Sequence, residues 1–382
     1  MNDKRAVWQR RGTARMPGRE HQTETPSPAQ ATAEAVFRLA AAGQHGQAIE
    51  LASAALTSGS QSPVAQQLRL LALRTESLLA LLELQSAEAD AQAMLALADR
   101  SRVAAHRALA LATLAHVQTR QERYALALAT AGAALQAARR SRQSELLALA
   151  LLHLASAGLQ RQPQQAAAQA DEAARRFAAL GDLARQGQAL RVLAAVKMAQ
   201  TDSPEHRAIA ERAVALARAS GDRGGEARAI NSLYSSDPDL AQRVRGLQQA
   251  LRVAVEGGDR QQEAAALHNL ALTYNQLGLR RRALRLMQQS LQLRHAQARP
   301  IALLNPYTIL AILHESLNQK VAYEQVVARA RAAAALATAE DAGPQLAMAA
   351  AMLEARGARW LAPAQAVAGC SRPLDASQIL IP

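Results

Sequence analysis

Apolar residues between positions 264 and 297 follow the 3.6-residue period of two amphipathic helices that are joined at Gly278. The core-facing positions are Leu267, Leu270, Ala271 and Tyr274 in the first helix, and Ala283, Leu284, Met287, Ser290 and Leu291 in the second. Each helix has one face to bury. A single pair is too small to bury both faces, so it needs similar pairs on either side.

The same pattern recurs along most of the chain at a spacing close to 40 residues. Units start near residues 29, 67, 108, 147, 187, 224, 264, 304 and 344. Small residues fall where each second helix must approach its neighbour, at Ala55, Ala93, Ala134, Ala173, Ala213, Ala250, Ser290 and Ala330. Aromatic residues make up only 2% of the chain, so Ala and Leu must build the interior. We therefore predict an all-α fold of repeated helix pairs.

The unit at 264 resembles the tetratricopeptide repeat in its order of large, small and aromatic positions. The match is carried by Leu267, Leu270, Ala271, Tyr274, Gly278, Ala283, Met287 and Ser290. Leu267 replaces the first aromatic residue of that pattern, and the closing proline is absent. The resemblance implies a right-handed α-solenoid of about eight units, of the longer kind found in bacterial signalling proteins.

Two kinds of dipeptide mark the predicted helix boundaries. Proline follows a capping residue at Ser27-Pro28, Ser62-Pro63, Ser203-Pro204, Asp237-Pro238 and Asn305-Pro306, and each pair should open a helix. Gly-Asp pairs at 181–182, 221–222 and 258–259 should end one helix and cap the next. We predict a disordered basic arm over residues 1–26, the solenoid over 27–356 and an irregular tail over 357–382.

Charge and cysteine content narrow the possible functions. The net charge of +13 is almost entirely arginine, since lysine occurs only at Lys4, Lys197 and Lys320, and it is spread along the chain. This distribution makes nucleic-acid binding an unlikely function. Cys370 is the only cysteine, which excludes an intrachain disulfide. No membrane span or signal-peptide core is visible, so we expect a cytoplasmic protein.

The sequence contains none of the motifs expected of a nucleotide-binding or hydrolytic enzyme. GxxxxGK[ST], GxGxxG and GxSxG do not occur. His314 and Glu315 resemble part of a zinc-protease helix, but Asn318 stands where the second histidine is required. We predict no enzymatic activity, no cofactor and no metal site.

In tetratricopeptide solenoids the first helix of each unit lines the concave groove. The resemblance assigns to that groove Leu71, Ala112, Leu151, Arg191, Arg228, His268 and Thr308. We expect Arg191, Arg228 and His268 to form a ladder that selects an acidic ligand; the alternative is three unrelated surface residues. His116, Asn269 and Asn275 are further groove candidates. The two asparagines lack the lysines that some family members use to hold a C-terminal carboxylate.

The leading functional hypothesis is a non-enzymatic scaffold that binds a protein or an acidic peptide in its groove. The alternative is the sensor or regulatory region of a bacterial signalling protein, such as a nucleotide cyclase or a transcriptional activator, separated from its output domain. A basic solenoid that binds nucleic acid is a third hypothesis, and it predicts steeply salt-dependent binding. The oligomeric state is left open by the sequence.

Overall fold

The computed structural model describes residues 28–58, 62–159, 161–200, 205–295, 300–336 and 349–352. These residues form sixteen α-helices and one short 3-10 helix, Pro300–Leu303, and they contain no β-strand. The α-helices are α1 (Pro28–Ala41), α2 (His45–Ser58), α3 (Val64–Ala80), α4 (Leu84–Ser101), α5 (Ala104–Arg120), α6 (Tyr124–Ser141), α7 (Ser144–Gly158), α8 (Pro163–Leu180), α9 (Leu183–Gln200), α10 (Glu205–Ser220), α11 (Arg223–Tyr234), α12 (Leu240–Glu256), α13 (Arg260–Gln276), α14 (Arg280–His295), α15 (Leu304–Ser316) and α16 (Lys320–Ala335). The all-α prediction is confirmed.

Consecutive helices pair into eight units, numbered 1 (α1 and α2) to 8 (α15 and α16), and each unit packs on the next. The first helices of neighbouring units also touch one another from α1 through α13. Within the described residues, the second helices of neighbouring units make no comparable contacts. The first helices therefore lie closer together and form the inner layer of an α-solenoid, as the repeat pattern predicted.

Small residues lie at the close helix crossings, and most of the positions that the sequence predicted for them are correct. Six are buried as expected: Ala134, Ala173, Ala213, Ala250, Ser290 and Ala330. In unit 2 the prediction is wrong, because Ala93 is exposed and Met94 fills the buried position beside it. Ala55 in unit 1 is half-buried. The repeat register is therefore one residue off in α4.

The Gly-Asp joints act as the sequence predicted. Gly221 adopts the left-handed conformation that ends α10, with a φ of 72°. The next residue, Asp222, caps α11 by accepting a hydrogen bond from the backbone N–H of Gly225 at 2.8 Å. Asp259 caps α13 in the same way, through the backbone N–H of Gln262 at 2.9 Å. These caps satisfy N–H groups that would otherwise lack a partner at the helix start.

The solenoid curves so strongly that its seventh unit contacts its first two units. Helix α13 contacts α3, and the α1–α2 turn lies against the α12–α13 turn. Glycines make this second contact: a Cβ atom added to Gly43 would lie 2.7 Å from the carbonyl carbon of Gly257. We call this backbone contact between Gly43 and residues 257–258 the closure contact. It converts an open groove into an enclosed space between the first helices.

Several predicted segments lie outside the described residues. These are the basic arm over 1–26, the tail over 357–382 and the Ser203-Pro204 boundary. No helix in the described parts of the chain is both long enough and apolar enough to span a bilayer.

Candidate ligand-binding lumen

The inner helices direct polar side chains from different units into the enclosed space, which we call the lumen and define by Glu76, Arg120, Arg191, Arg228 and Asp259. Glu76 lies on α3, Arg120 on the last turn of α5, Arg191 on α9 and Arg228 on α11, whereas Asp259 precedes α13. Their charges are close enough to shift the pKa of Arg120. Arg120 and Asp259, four units apart along the solenoid, are therefore near enough for their charges to interact.

A stack of polar side chains runs along one part of the inner layer. The Nδ1 atom of His116 on α5 lies 3.1 Å from Oε1 of Glu76 on α3. The ring of His116 also stacks on that of His153 on α7, with centroids 4.8 Å apart. Burial, followed by the charge of His116, lowers the pKa of His153 to about 3, so His153 is neutral at pH 7. His116 is thus held by neighbours on both sides.

Arg191 and Arg228 come together on adjacent first helices. Both are half-buried, and they line one narrow cleft with Gly187, Gly225 and Ala229. The Nε atom of each arginine is buried and has no hydrogen-bond partner. Burial, followed by the positive charge of Arg228, lowers the pKa of Arg191 to about 9. These two residues are the part of the predicted ladder that the fold brings together.

His268 has a different setting from the two arginines. It is half-buried on α13, and burial followed by the positive charge of Arg294 lowers its pKa to about 4. Its neutral ring at pH 7 can therefore donate or accept one hydrogen bond but adds no charge to the ladder. An acidic ligand would meet two cations and a neutral imidazole.

The two asparagine candidates lie at different places on α13. Asn269 is half-buried, and its Nδ2 donates to Oδ1 of Asn231 on α11 at 3.1 Å. Asn275 is also half-buried but lies in the last turn, where its backbone carbonyl accepts from the N–H of Gly278 at 3.0 Å. Only Asn269 is joined to a polar side chain on a neighbouring first helix.

The other four positions that the resemblance assigned to the groove were predicted wrongly. Leu71, Ala112, Leu151 and Thr308 are at most 9% exposed and belong to the packed core. The first helices start 36 residues apart between units 1 and 2 but 44 apart between units 7 and 8. Each residue changes the facing direction of a helix by about 100°, so the longer spacing rotates Thr308 away from the inner face. Leu71, Ala112 and Leu151 lie in units 2 to 4, whose first helices start 40 residues apart, so unit length does not explain their burial.

Sequence reasoning missed Arg120, Glu76 and Asp259. Arg120 follows His116 by four residues and therefore lies on the same face of α5, a spacing that could have revealed it. Asp259 was recognised only as a helix cap. Among the described residues, no group of three or more His, Cys, Asp and Glu side chains is placed to hold a metal ion.

Comparisons with known proteins support the fold. No family model and no curated protein matches the chain. A crystal structure of Rap protein complexed with competence and sporulation factor superposes with a TM-score of 0.62 at 13% identity, covering 87% of this chain and 94% of that one. The fold is a tetratricopeptide-like helical repeat.

Two other solved structures are more distantly similar. A signal transduction ATPase with a tetratricopeptide repeat sensor, from Pyrococcus horikoshii, gives a TM-score of 0.38 at 16% identity over 70% of this chain and 42% of that one. Yeast Tom70 gives 0.29 at 12% identity over 85% and 89%. At these TM-scores neither structure informs the lumen.

Proposed function

We propose that this protein is a non-enzymatic binding scaffold that takes a peptide or an extended protein segment into its lumen. The observation that carries the proposal is the polar lining of an enclosed space. A solenoid whose interior served only stability would fill it with apolar side chains, because buried polar groups without partners are unfavourable. Here Arg191 and Arg228 keep unpartnered Nε–H donors in that space.

The shape of the lumen favours an extended ligand over a folded domain. The closure contact leaves the space bounded by α3, α5, α9, α11 and the start of α13. Only a narrow segment can reach side chains on all of these elements at once. The Rap structure that shares this architecture was solved as a complex with competence and sporulation factor, which supports a ligand-binding role for the fold.

The charges of the lumen favour an acidic ligand. Arg191 and Arg228 lie on adjacent first helices, and neighbouring packed helices are about 8–10 Å apart. An extended peptide can place carboxylates at a comparable spacing, and charge-assisted hydrogen bonds to guanidinium are stronger than neutral ones. His268 and Asn269, on the next first helix, extend the proposed contact surface with neutral donors and acceptors.

Selection from a random peptide library tests this proposal. The full chain should enrich peptides rich in Asp and Glu, and reversing Arg191 and Arg228 to glutamate should abolish their binding, more clearly at low salt than at high. Arg252→Glu is the matched control, since Arg252 is exposed on α12 in the same unit as Arg228. Binding that survives the double reversal but is lost on substitution of Arg281 or Arg285 would place the ligand on the outer helices instead.

The same protein variants distinguish peptide binding from the nucleic-acid hypothesis. A basic solenoid would retard duplex or single-stranded DNA in a gel at low salt, and the Arg252→Glu variant would weaken this binding as much as a lumen variant would. Our proposal expects no such retardation.

A further inference from the structure

Three arginines in the lumen present hydrogen-bond donors without acceptors. The Nε atoms of Arg120, Arg191 and Arg228 are buried and have no partner. Within the described residues, no carboxylate lies within 4.0 Å of the guanidinium of Arg120 or Arg191. Arg228 has one described carboxylate within 4.0 Å, that of Asp259, and their closest nitrogen–oxygen distance is 3.9 Å, which is too long for a hydrogen bond.

Each of the two nearby carboxylates uses one oxygen in a contact with a residue other than these arginines. Asp259 accepts the backbone N–H of Gln262 as the cap of α13, and Glu76 pairs with His116. The three arginines therefore outnumber their two acidic neighbours, and the two carboxylates do not balance the charge of the three guanidiniums.

Deprotonation does not relieve this excess of positive charge. Burial, followed by the charge of Arg228, lowers the pKa of Arg120 to about 9, and burial also lowers that of Arg191 to about 9. Both side chains remain cationic at pH 7, as arginine does in proteins generally. Cations held together in an enclosed space with unpartnered donors are stabilised by an anion that enters between them.

The three arginines come from separate parts of the solenoid. Arg191 and Arg228 lie on neighbouring helices α9 and α11, whereas Arg120 lies on α5, two units before α9. Helix α13 of unit 7 contacts α3 of unit 2, so the ring brings the early units close to units 6 and 7. The charges of Arg228 and Asp259 accordingly act on the pKa of Arg120. An anion among the three side chains would bridge opposite walls.

We propose that Arg120, Arg191 and Arg228 form one anion-binding site, and that it takes a carboxylate of a short peptide which enters the lumen. The ligand class rests on the function proposed above, but the site itself stands on the three unpartnered donors. Apolar Ala184, Ala217 and Ala229 line the adjoining cleft. They would accept the aliphatic part of the residue that carries the carboxylate.

A small dicarboxylate tests the site without any knowledge of the natural ligand. Succinate should raise the thermal midpoint of the wild-type chain above its value in chloride at the same ionic strength, and Arg120→Gln and Arg191→Gln should each lose this rise. Arg252→Gln should keep it, which controls for the general stabilising action of anions on protein surfaces. Without succinate, both lumen variants should melt no lower than the wild type, because each removes a poorly compensated charge.

Each result of this experiment decides the proposal. An equal rise in the wild type and both lumen variants overturns the site. A lower midpoint of Arg120→Gln without succinate shows that Arg120 holds the fold together, and it also overturns the site. Stronger stabilisation by inorganic phosphate than by succinate, lost in the same variants, overturns the assignment to a carboxylate.

Peptides separate this inference from the proposed function. A selected peptide should bind Arg120→Gln at least tenfold more weakly than Arg252→Gln, a difference of about 1.4 kcal/mol or more, because one charged hydrogen bond is lost. Amidation of the peptide C-terminus and Asp→Asn substitution show which carboxylate is bound. Equal binding to both variants overturns the inference and leaves the proposed function intact. A succinate effect with no selected peptide supports the site and contradicts the proposed function.

Discussion

The closure contact predicts that Gly43→Ala should open the solenoid. The φ of Gly43 is +78°, and an added Cβ would lie 2.7 Å from the carbonyl carbon and 2.9 Å from the carbonyl oxygen of Gly257. The carbonyl oxygen of Glu256 would be 3.1 Å away. All three are backbone atoms, so no side chain can rotate to make room. The α1–α2 and α12–α13 turns must move apart.

Gly278→Ala is a matched control. Gly278 has a φ of +75° in the equivalent turn of unit 7, and an added Cβ would meet no atom within 4 Å. Both variants carry the strain of a left-handed alanine, about 1–2 kcal/mol, which is partly offset by the lower entropy of the unfolded chain. Gly43→Ala adds an overlap that should bring a further loss of about 1–3 kcal/mol. The extra loss is limited to the free energy of the closure contact, because the turns can separate instead.

Urea unfolding and small-angle X-ray scattering would measure the two effects. We expect Gly43→Ala to unfold at a lower urea concentration than Gly278→Ala and to have a larger radius of gyration than the wild type. Gly278→Ala should keep the wild-type radius. Equal unfolding midpoints and equal radii for the two variants would refute the closure of the ring at this contact.

Three further predictions concern the core and the lumen. Ala134→Leu should overpack a helix crossing and lower the stability by about 1–3 kcal/mol, while Ala133→Leu on the exposed face of α6 should change it little, as measured by urea unfolding. Asp90→Ala should destabilise the chain by about 2–4 kcal/mol in the same assay, because Arg74 donates to both Asp90 oxygens at 2.6 and 2.8 Å and would keep only the uncharged Ser53 hydroxyl as a partner, at 2.8 Å. Folding lowers the pKa of His153 from 6.5 to about 3, so below pH 6.5 the unfolded chain binds a proton at this residue that the folded chain does not bind. The free energy of unfolding should therefore drop by about 1–2 kcal/mol between pH 7 and pH 5, and His153→Gln should lessen that drop.

The inner face of the solenoid could be read from the sequence only in part. The predicted unit starts near 187 and 224 selected Arg191 and Arg228, which do share a cleft. The same register failed for Thr308, because the first helices of units 7 and 8 start 44 residues apart and the longer spacing rotates the helix away from the expected face. It also failed for Leu71, Ala112 and Leu151, where unit length is not the cause. The sequence analysis also missed helix ends at which a residue other than glycine adopts the left-handed conformation. Arg102 ends α4 in the left-handed conformation with a φ of 56°, and arginine is not a residue from which the sequence predicts that conformation.

The sequence by itself determined the all-α class of the fold and its division into repeated helix pairs. Apolar period, small residues at crossings and Gly-Asp joints act within one unit or between adjacent units, so local pattern is enough to read them. The closure contact and the contact of α13 with α3 join units that are far apart in the chain. They depend on small rotations that add up from unit to unit along the solenoid. Only the tertiary structure fixes that sum, and it decides which charges meet in the lumen.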